Sequence, residues 1–337
     1  MEIQERHQDE GVKFFVTATV GQDRKGTVIS NYTRPPAQLP HEFNYRPYDR
    51  EPMDVQTAAR ITSTMPSYFE EVHRGVSDKY TDGSLSNLSN PALAALHEFQ
   101  RIWPQIESRT PDILVSIGAG LGETWGQWAT HWSEDSKRLL KAMTTDERWA
   151  TDMQTRQKMN DHIYWRLNST ARGGLPNSCD LNALNSGEIA AFIETHLASL
   201  DAMIKSVARK LFATTFYFHA AEAVAEKDDQ LINGNIMCRF AHGSNNMRSF
   251  VARLQGMSNP RIEYSDRATT KTLPVTREML DAAADNGSLH VPINLPLANE
   301  VQTEVYFAAD TVVRELISGF PITLKEYREA ENAIAAL

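Results

Sequence analysis

Two cysteines, Cys179 and Cys238, are all that 337 residues contain, and they stand far apart. They read as free thiols of a reducing compartment, not as a disulfide framework. Long apolar runs are also missing, since no segment approaches the ~18 residues that a membrane-spanning helix requires. No run of Lys or Arg occurs and the formal net charge is -9. The concentrated basic face that neutralises phosphates is therefore absent, which disfavours a nucleic-acid partner. The ten histidines fall into no metal-ligand spacing, and His162, beside strand-like residues, reads as a packing or surface residue. Residues 1–10 are polar and acidic, unlike a secretory leader. No internal repeat or low-complexity tract is present.

What is there is ordinary material for a buried core: 41% hydrophobic and 23% charged residues, with both signs well mixed. The length exceeds a single average domain of ~100–200 residues, so one large or two ordinary domains are expected. The β-branched and aromatic run 12–19 (VKFFVTAT) and the segment 27–32 predict two strands joined by a glycine-containing turn. Residues 33–52 carry prolines and aromatics without a period and predict a surface loop. A helix over 55–65 is stopped by Pro66. A second helix over 91–103 starts on Pro91, whose missing N–H is harmless in a first turn. Its Leu93, Leu96, Phe99 and Trp103 recur at three- and four-residue steps and predict one buried stripe. The continuous apolar run 113–117 before Gly118-Ala119-Gly120 predicts a strand buried on both faces of a parallel sheet.

Further on, 133–161 predicts one or two helices entered at Ser133, 163–167 a strand, and 173–185 a loop with a turn at Gly173-Gly174. Residues 188–210 predict a long amphipathic helix. The remainder alternates strands (212–219, 235–240, 261–264, 290–295, 301–308) with helices (247–254, 277–284, 324–337). That texture predicts a separate β-rich α+β module over 207–337 behind an α/β domain over 1–206.

Three segments in order carry a family resemblance: Ala58-Ala59-Arg60-Ile61-Thr62-Ser63 running into Pro66-Ser67-Tyr68-Phe69, then Tyr80-Thr81-Asp82-Gly83-Ser84-Leu85 with Asn90-Pro91, and Leu114-Val115-Ser116-Ile117-Gly118-Ala119-Gly120. Weaker echoes are Phe15-Val16-Thr17-Ala18-Thr19 and Tyr164-Trp165-Arg166-Leu167-Asn168. Together they resemble the later two-thirds of a patatin-like phospholipase domain of the fungal multidomain type. The resemblance covers residues 12–170, with looser similarity of 200–320 to the strand-rich tail of such proteins. It implies a partial three-layer α/β/α sheet without its N-terminal strands. It also implies a Ser-Asp dyad that cleaves acyl esters of lipids as a phospholipase A or lysophospholipase does, without metal or cofactor. In that scheme a serine on a G-x-S-x-G elbow attacks the carbonyl, an aspartate takes its proton, and a glycine-rich loop binds the oxyanion. Asp82 matches the dyad aspartate and Gly83 its motif glycine. The implied partners are a lipid ester or a membrane surface and a complete relative with which the chain pairs. The implied location is the cytoplasm, peripherally at membranes.

The departures are specific. No G-x-S-x-G occurs anywhere in the chain. The elbow and the oxyanion loop should precede residue 12, and one extra residue separates Asp82-Gly83 from Asn90-Pro91. Two expectations follow: a catalyst cut short at its start, with an open sheet edge beside 12–19 or 113–117, or a binding or regulatory module that has lost hydrolysis. Either way the chain alone is expected to be inactive. Any turnover would point first to Ser84 or Ser116. Asp-Gly by itself is a common turn dipeptide. Gly118-x-Gly120-x-Gly122 lacks the helix and the later acid of a dinucleotide site. Trp125, Trp128 and Trp132 read as core or lid residues.

Overall fold

The computed structural model describes residues 12–21, 25–34, 43–46, 53–64, 69–74, 78–86, 88, 90–103, 110–118, 163–168, 186–221, 229–266, 269–310 and 313–335. The chain divides into two compact units, Met1–Asp201 and Ala202–Leu337. The expected helices in 133–161, the loop 173–185, His162, Cys179 and the three tryptophans lie outside the described residues.

The first unit begins with β1 (Phe15–Val20) and β2 (Lys25–Ser30), an antiparallel hairpin in register from Phe15↔Ser30 to Val20↔Lys25. With β3 (Asn44–Arg46), β4 (Val72–Arg74) and β5 (Asp78–Asp82) they form a five-stranded sheet in the order β3-β2-β1-β5-β4. Only the β2–β3 pairing is parallel. Strand β1 is therefore interior, flanked by β2 and β5, and the expected open edge beside 12–19 is not there. Alternation along these strands buries both faces. Ala18, Val20, Ile29 and Tyr80 pack with Ala58 and Ile61 of α1 (Val55–Thr62), while Val28 packs with Phe43 and Ala94. Helix α1 starts at Asp54, whose carboxylate accepts from the Thr57 N–H at 2.8 Å, so the orphan amides of its first turn have an acceptor.

Helix α2 (Ala92–Ile102) follows Pro91. Its buried residues are Ala92, Ala94, Leu96 and Glu98, whereas Trp103 is 39% exposed and Leu93 and Phe99 are half-buried. The predicted stripe holds at Leu96, with Leu93 packed against it, and is corrected elsewhere: the alanines and a paired acid, not Phe99 and Trp103, complete the inward face. Glu98 accepts from Arg34 Nε at 2.9 Å and from the Tyr32 hydroxyl at 2.9 Å, with both charged side chains 2% exposed. The Arg34 guanidinium also lies 3.9 Å from the centre of the Tyr45 ring. Burial and then the Glu98 charge hold the Tyr32 phenol well above its ordinary range, so it stays a donor.

Strand β6 (Leu114–Ile117) pairs in parallel with β7 (Tyr164–Leu167) as a two-stranded sheet. The parallel direction agrees with the expectation for 113–117, but burial on both faces does not. Among its four residues only Ser116 is buried, and Ile117 is 77% exposed.

Helix α3 (Ser186–Ala213) runs in sequence from the first unit into the second. The second unit continues with β8 (Phe216–Ala220), β9 (Asp229–Cys238), α4 (Asn245–Gln255), β10 (Arg261–Asp266), β11 (Thr269–Pro274) and α5 (Arg277–Asn286). It closes with β12 (His290–Ala298), β13 (Val305–Ala309), β14 (Val313–Leu316) and α6 (Leu324–Ala335). Two antiparallel sheets result, β12-β9-β8 and β11-β10-β13-β14. Strands β11 and β14 have no counterpart in the sequence reading, nor do β3, β4 and β5 of the first unit, and β3 corrects the loop expected over 33–52. Phe216, Phe250 and Phe307 anchor the core, with Phe216 stacked on Phe307 at 4.8 Å between ring centres. Helix α6 is opened by a reciprocal box in which Thr323 N–H donates to Glu326 Oε2 at 2.8 Å and Glu326 N–H donates to Thr323 Oγ1 at 3.2 Å.

Candidate active site

Asp82 ends β5 opposite Ala18 of β1. Its main chain is fixed on both sides, by its N–H donating to the Thr64 carbonyl at 2.9 Å and its own carbonyl accepting from Thr19 Oγ1 at 2.8 Å. A 3-10 turn, Gly83–Ser86, follows at once. A Cβ on Gly83 would lie 2.6 Å from Thr17 Oγ1 and 2.9 Å from Thr17 Cβ, so only glycine lets the turn press onto β1. The Gly83 carbonyl accepts from Ser86 Oγ at 3.0 Å and from the Leu88 N–H at 3.1 Å. The sheet thus presents the half-buried Asp82 carboxylate at a rigid strand end.

The carboxylate is engaged locally. Oδ1 accepts from the Ser84 hydroxyl at 2.5 Å and from the Ser84 N–H at 2.8 Å, a turn-capping arrangement. Oδ2 accepts no hydrogen bond among the described residues. A serine hydroxyl aimed at a carboxylate is the first half of general-base activation. The second half is a set of donors facing the developing oxyanion. The amide nearest the Ser84 hydroxyl is instead committed to Asp82 itself. Ser116 is elsewhere in the hydrogen-bond pattern: its hydroxyl donates to Asn90 Oδ1 at 2.9 Å and accepts from Arg166 at 2.7 Å. With a side-chain amide as its acceptor it has no base among the described residues.

That second cluster escaped the sequence reading. Ser116 and Arg166 are register partners across β6 and β7, and Asn90 Oδ1 also caps the Ala92 N–H at 3.2 Å. A Cβ on Gly118 would collide with the Asn168 side-chain oxygen and come within 2.9 Å of the Arg166 guanidinium. The members of the cluster stood in three separate segments of the sequence reading, but a pairing of strands this far apart in sequence leaves no local trace of their meeting.

Among the described residues no group of three or more His, Cys, Asp or Glu is placed to hold a metal ion. No described helix is long and apolar enough to cross a membrane. Cys238 is a buried free thiol in the second unit, and burial pushes its pKa up, away from reactivity.

No protein-family model matches the chain, and no solved structure does. Two curated relatives do: calcium-independent phospholipase A2-gamma from Rattus norvegicus and from Mus musculus, each 30% identical over 162 residues. The matched stretch is 46% of this chain and 19% of each relative, so the chain spans about a fifth of the length of the curated relatives it matches. Over just under half its length, then, this chain is similar to proteins named as phospholipases, a distant similarity of the lipid-hydrolase kind.

Proposed function

We propose that the first unit derives from a patatin-like lipid acyl hydrolase, with Asp82 as the inherited base of a Ser-Asp dyad, and that this chain alone does not hydrolyse esters. The observation that carries the reading is a carboxylate fixed at a strand end before a sterically obligatory glycine, in a chain similar to two phospholipases. In the full reaction a serine would attack the acyl carbonyl of a lipid ester. Asp82 would take the hydroxyl proton and later activate the water that releases the fatty acid. The sequence offers no G-x-S-x-G to supply that serine. The same lineage supports a three-layer α/β/α sheet for residues 1–206 with a β-rich module over 207–337, a cytoplasmic and membrane-peripheral setting, and pairing with a complete relative.

One observation favours the second reading, a binding or regulatory module without hydrolysis: the Ser84 hydroxyl and N–H already occupy Oδ1, so Asp82 has a structural task here. A graft separates the two. A G-x-S-x-G strand and a glycine-rich loop joined ahead of β1 are expected to confer turnover of p-nitrophenyl esters that Asp82→Asn abolishes. Turnover indifferent to Asp82→Asn would remove Asp82 from the chemistry.

A further inference from the structure

Helix α3 carries an apolar stripe that the proposed hydrolysis does not use. Ile193, Leu197, Leu200, Ile204, Val207 and Leu211 follow one another at alternating steps of four and three residues. That period of 3.5 residues is the spacing of a coiled-coil seam, narrower than the face a helix turns to its own core. In its last turns α3 packs on the second unit through another side. Val207, Lys210 and Ala213 are buried there, with Ala213 in the core and Lys210 Nζ donating to the Leu316 carbonyl at 3.2 Å. The stripe runs beside that side and meets it only at Val207. Ile193, Leu197, Ile204 and Leu211 are each between 38% and 52% exposed, and Leu200 is half-buried. Single exposed hydrophobic residues are ordinary, but a continuous line of them marks a place of association.

The charges beside the stripe favour one occupant. Glu194, Asp201, Lys205 and Arg209 follow at steps of seven, four and four, so they share one flank of the helix. The acids come first and the bases last. From Ser186 to Met203 the helix has acids and no Lys or Arg; from Ile204 to Ala213 it has bases and no Asp or Glu. The helix dipole favours that order only within the first and last turns, and Glu194, Asp201 and Lys205 lie further in. A membrane surface fits poorly, because an interfacial helix needs Lys and Arg along its polar face and half of this one is acidic. A second α3 laid antiparallel fits well. With a two-fold axis at Ala202, Ile193 meets the partner's Leu211 and Leu200 meets the partner's Ile204. Glu194 then faces the partner's Arg209, and Asp201 faces the partner's Lys205. A parallel pair would set Glu194 against the partner's Ile189 and forgo that match.

We propose that α3 is a dimerisation helix, which pairs antiparallel with α3 of a second copy of this chain through Ile193, Leu197, Leu200, Ile204 and Leu211. Such an interface is isologous, so it closes at two copies. This goes beyond the hydrolase reading and does not rest on it, because the stripe is remote in sequence from the Asp82 turn. The seam is short, so the dimer is expected to dissociate on dilution.

Sedimentation velocity of the purified full chain over a dilution series tests the pairing, with Leu197→Asp and Ile204→Asp as variants at exposed positions. The expected result is a monomer–dimer equilibrium in the wild type. Each variant should associate more weakly by roughly tenfold or more, because a carboxylate then enters the seam, with its circular dichroism spectrum unchanged. Orientation is read by oxidative cross-linking of two further variants, each compared with the wild type. Met203→Cys, one residue from the axis, is expected to link two copies, and Ile193→Cys is not. A wild type that stays monomeric at every concentration would overturn the proposal; if it also sediments with phosphatidylglycerol vesicles and Ile204→Asp does not, the stripe belongs to a membrane surface. Equal association by the wild type and both Asp variants would overturn it too. Cross-linking of Ile193→Cys in preference to Met203→Cys would overturn the antiparallel arrangement.

Discussion

At the scale of single residues, two positions in the first unit carry consequences out of proportion to their size. Gly83 is held against Thr17 at distances that no Cβ tolerates. Gly83→Ala must push the 3-10 turn off β1, and we expect it to destabilise the protein by about 1–3 kcal/mol, read as a lower denaturant midpoint. An unchanged midpoint would mean that the turn moves freely and that Asp82 is not rigidly presented. Glu98 and Arg34 form a charge pair that is 2% exposed on each side. Glu98→Ala takes from the buried Arg34 the carboxylate that accepts from its Nε, and a loss of about 3–5 kcal/mol is expected. The double variant Glu98→Leu with Arg34→Met should recover most of that loss, because the penalty comes from the uncompensated charge. If both variants are equally destabilised, the packing of α2 and not its charge is what matters.

At the scale of elements, the second unit offers a pH-dependent feature. Glu263 on β10 accepts from Arg261 Nε at 2.8 Å and from Arg314 Nε at 2.9 Å, and Arg314 crosses β13 with its guanidinium 3.5 Å from the centre of the Tyr306 ring. Burial alone would raise the carboxyl pKa, but the hydrogen bonds and charges of the two arginines outweigh it and hold it below the usual value. A depressed folded pKa stabilises fully above the unfolded value of about 4.3 and is lost as pH falls through the folded value. Glu263→Gln should therefore be less stable than wild type at neutral pH, by about 1 kcal/mol. The gap should close in acid; a gap that is constant from pH 7 to pH 3 would rule out this linkage. The same sheet shows what the sequence hides. Strand β11 (TTKTLP) has no buried residue, so it lacks the alternation by which a strand such as β12 announces itself. Strand β14 has only four residues, at the sheet edge. The hairpin β1–β2, the helices α1, α4 and α5, and the Asp-Gly turn were legible because period, caps and turn residues are local signals. The inward face of α2 was not, since Glu98 is buried only by virtue of Arg34 and Tyr32 arriving from elsewhere in the chain. The Ser116–Arg166 pairing is equally non-local.

At the scale of the whole molecule, the functional reading rests on the first unit. That unit contains the Asp82 turn, and 46% of the chain, over 162 residues, is 30% identical to two phospholipases. We propose that Asp82 is the base of a dyad whose activated serine this sequence does not supply. Ser84 lies 2.5 Å from the Asp82 carboxylate and is the one hydroxyl, among the described residues, with which that carboxylate is bonded. The most direct measurement is to expose the purified full chain to a fluorophosphonate probe, which labels only activated serines, and to follow p-nitrophenyl ester turnover in parallel. The account predicts no covalent label and no turnover above buffer. A label on Ser84 that disappears in Asp82→Asn, together with turnover lost in the same variant, would contradict it.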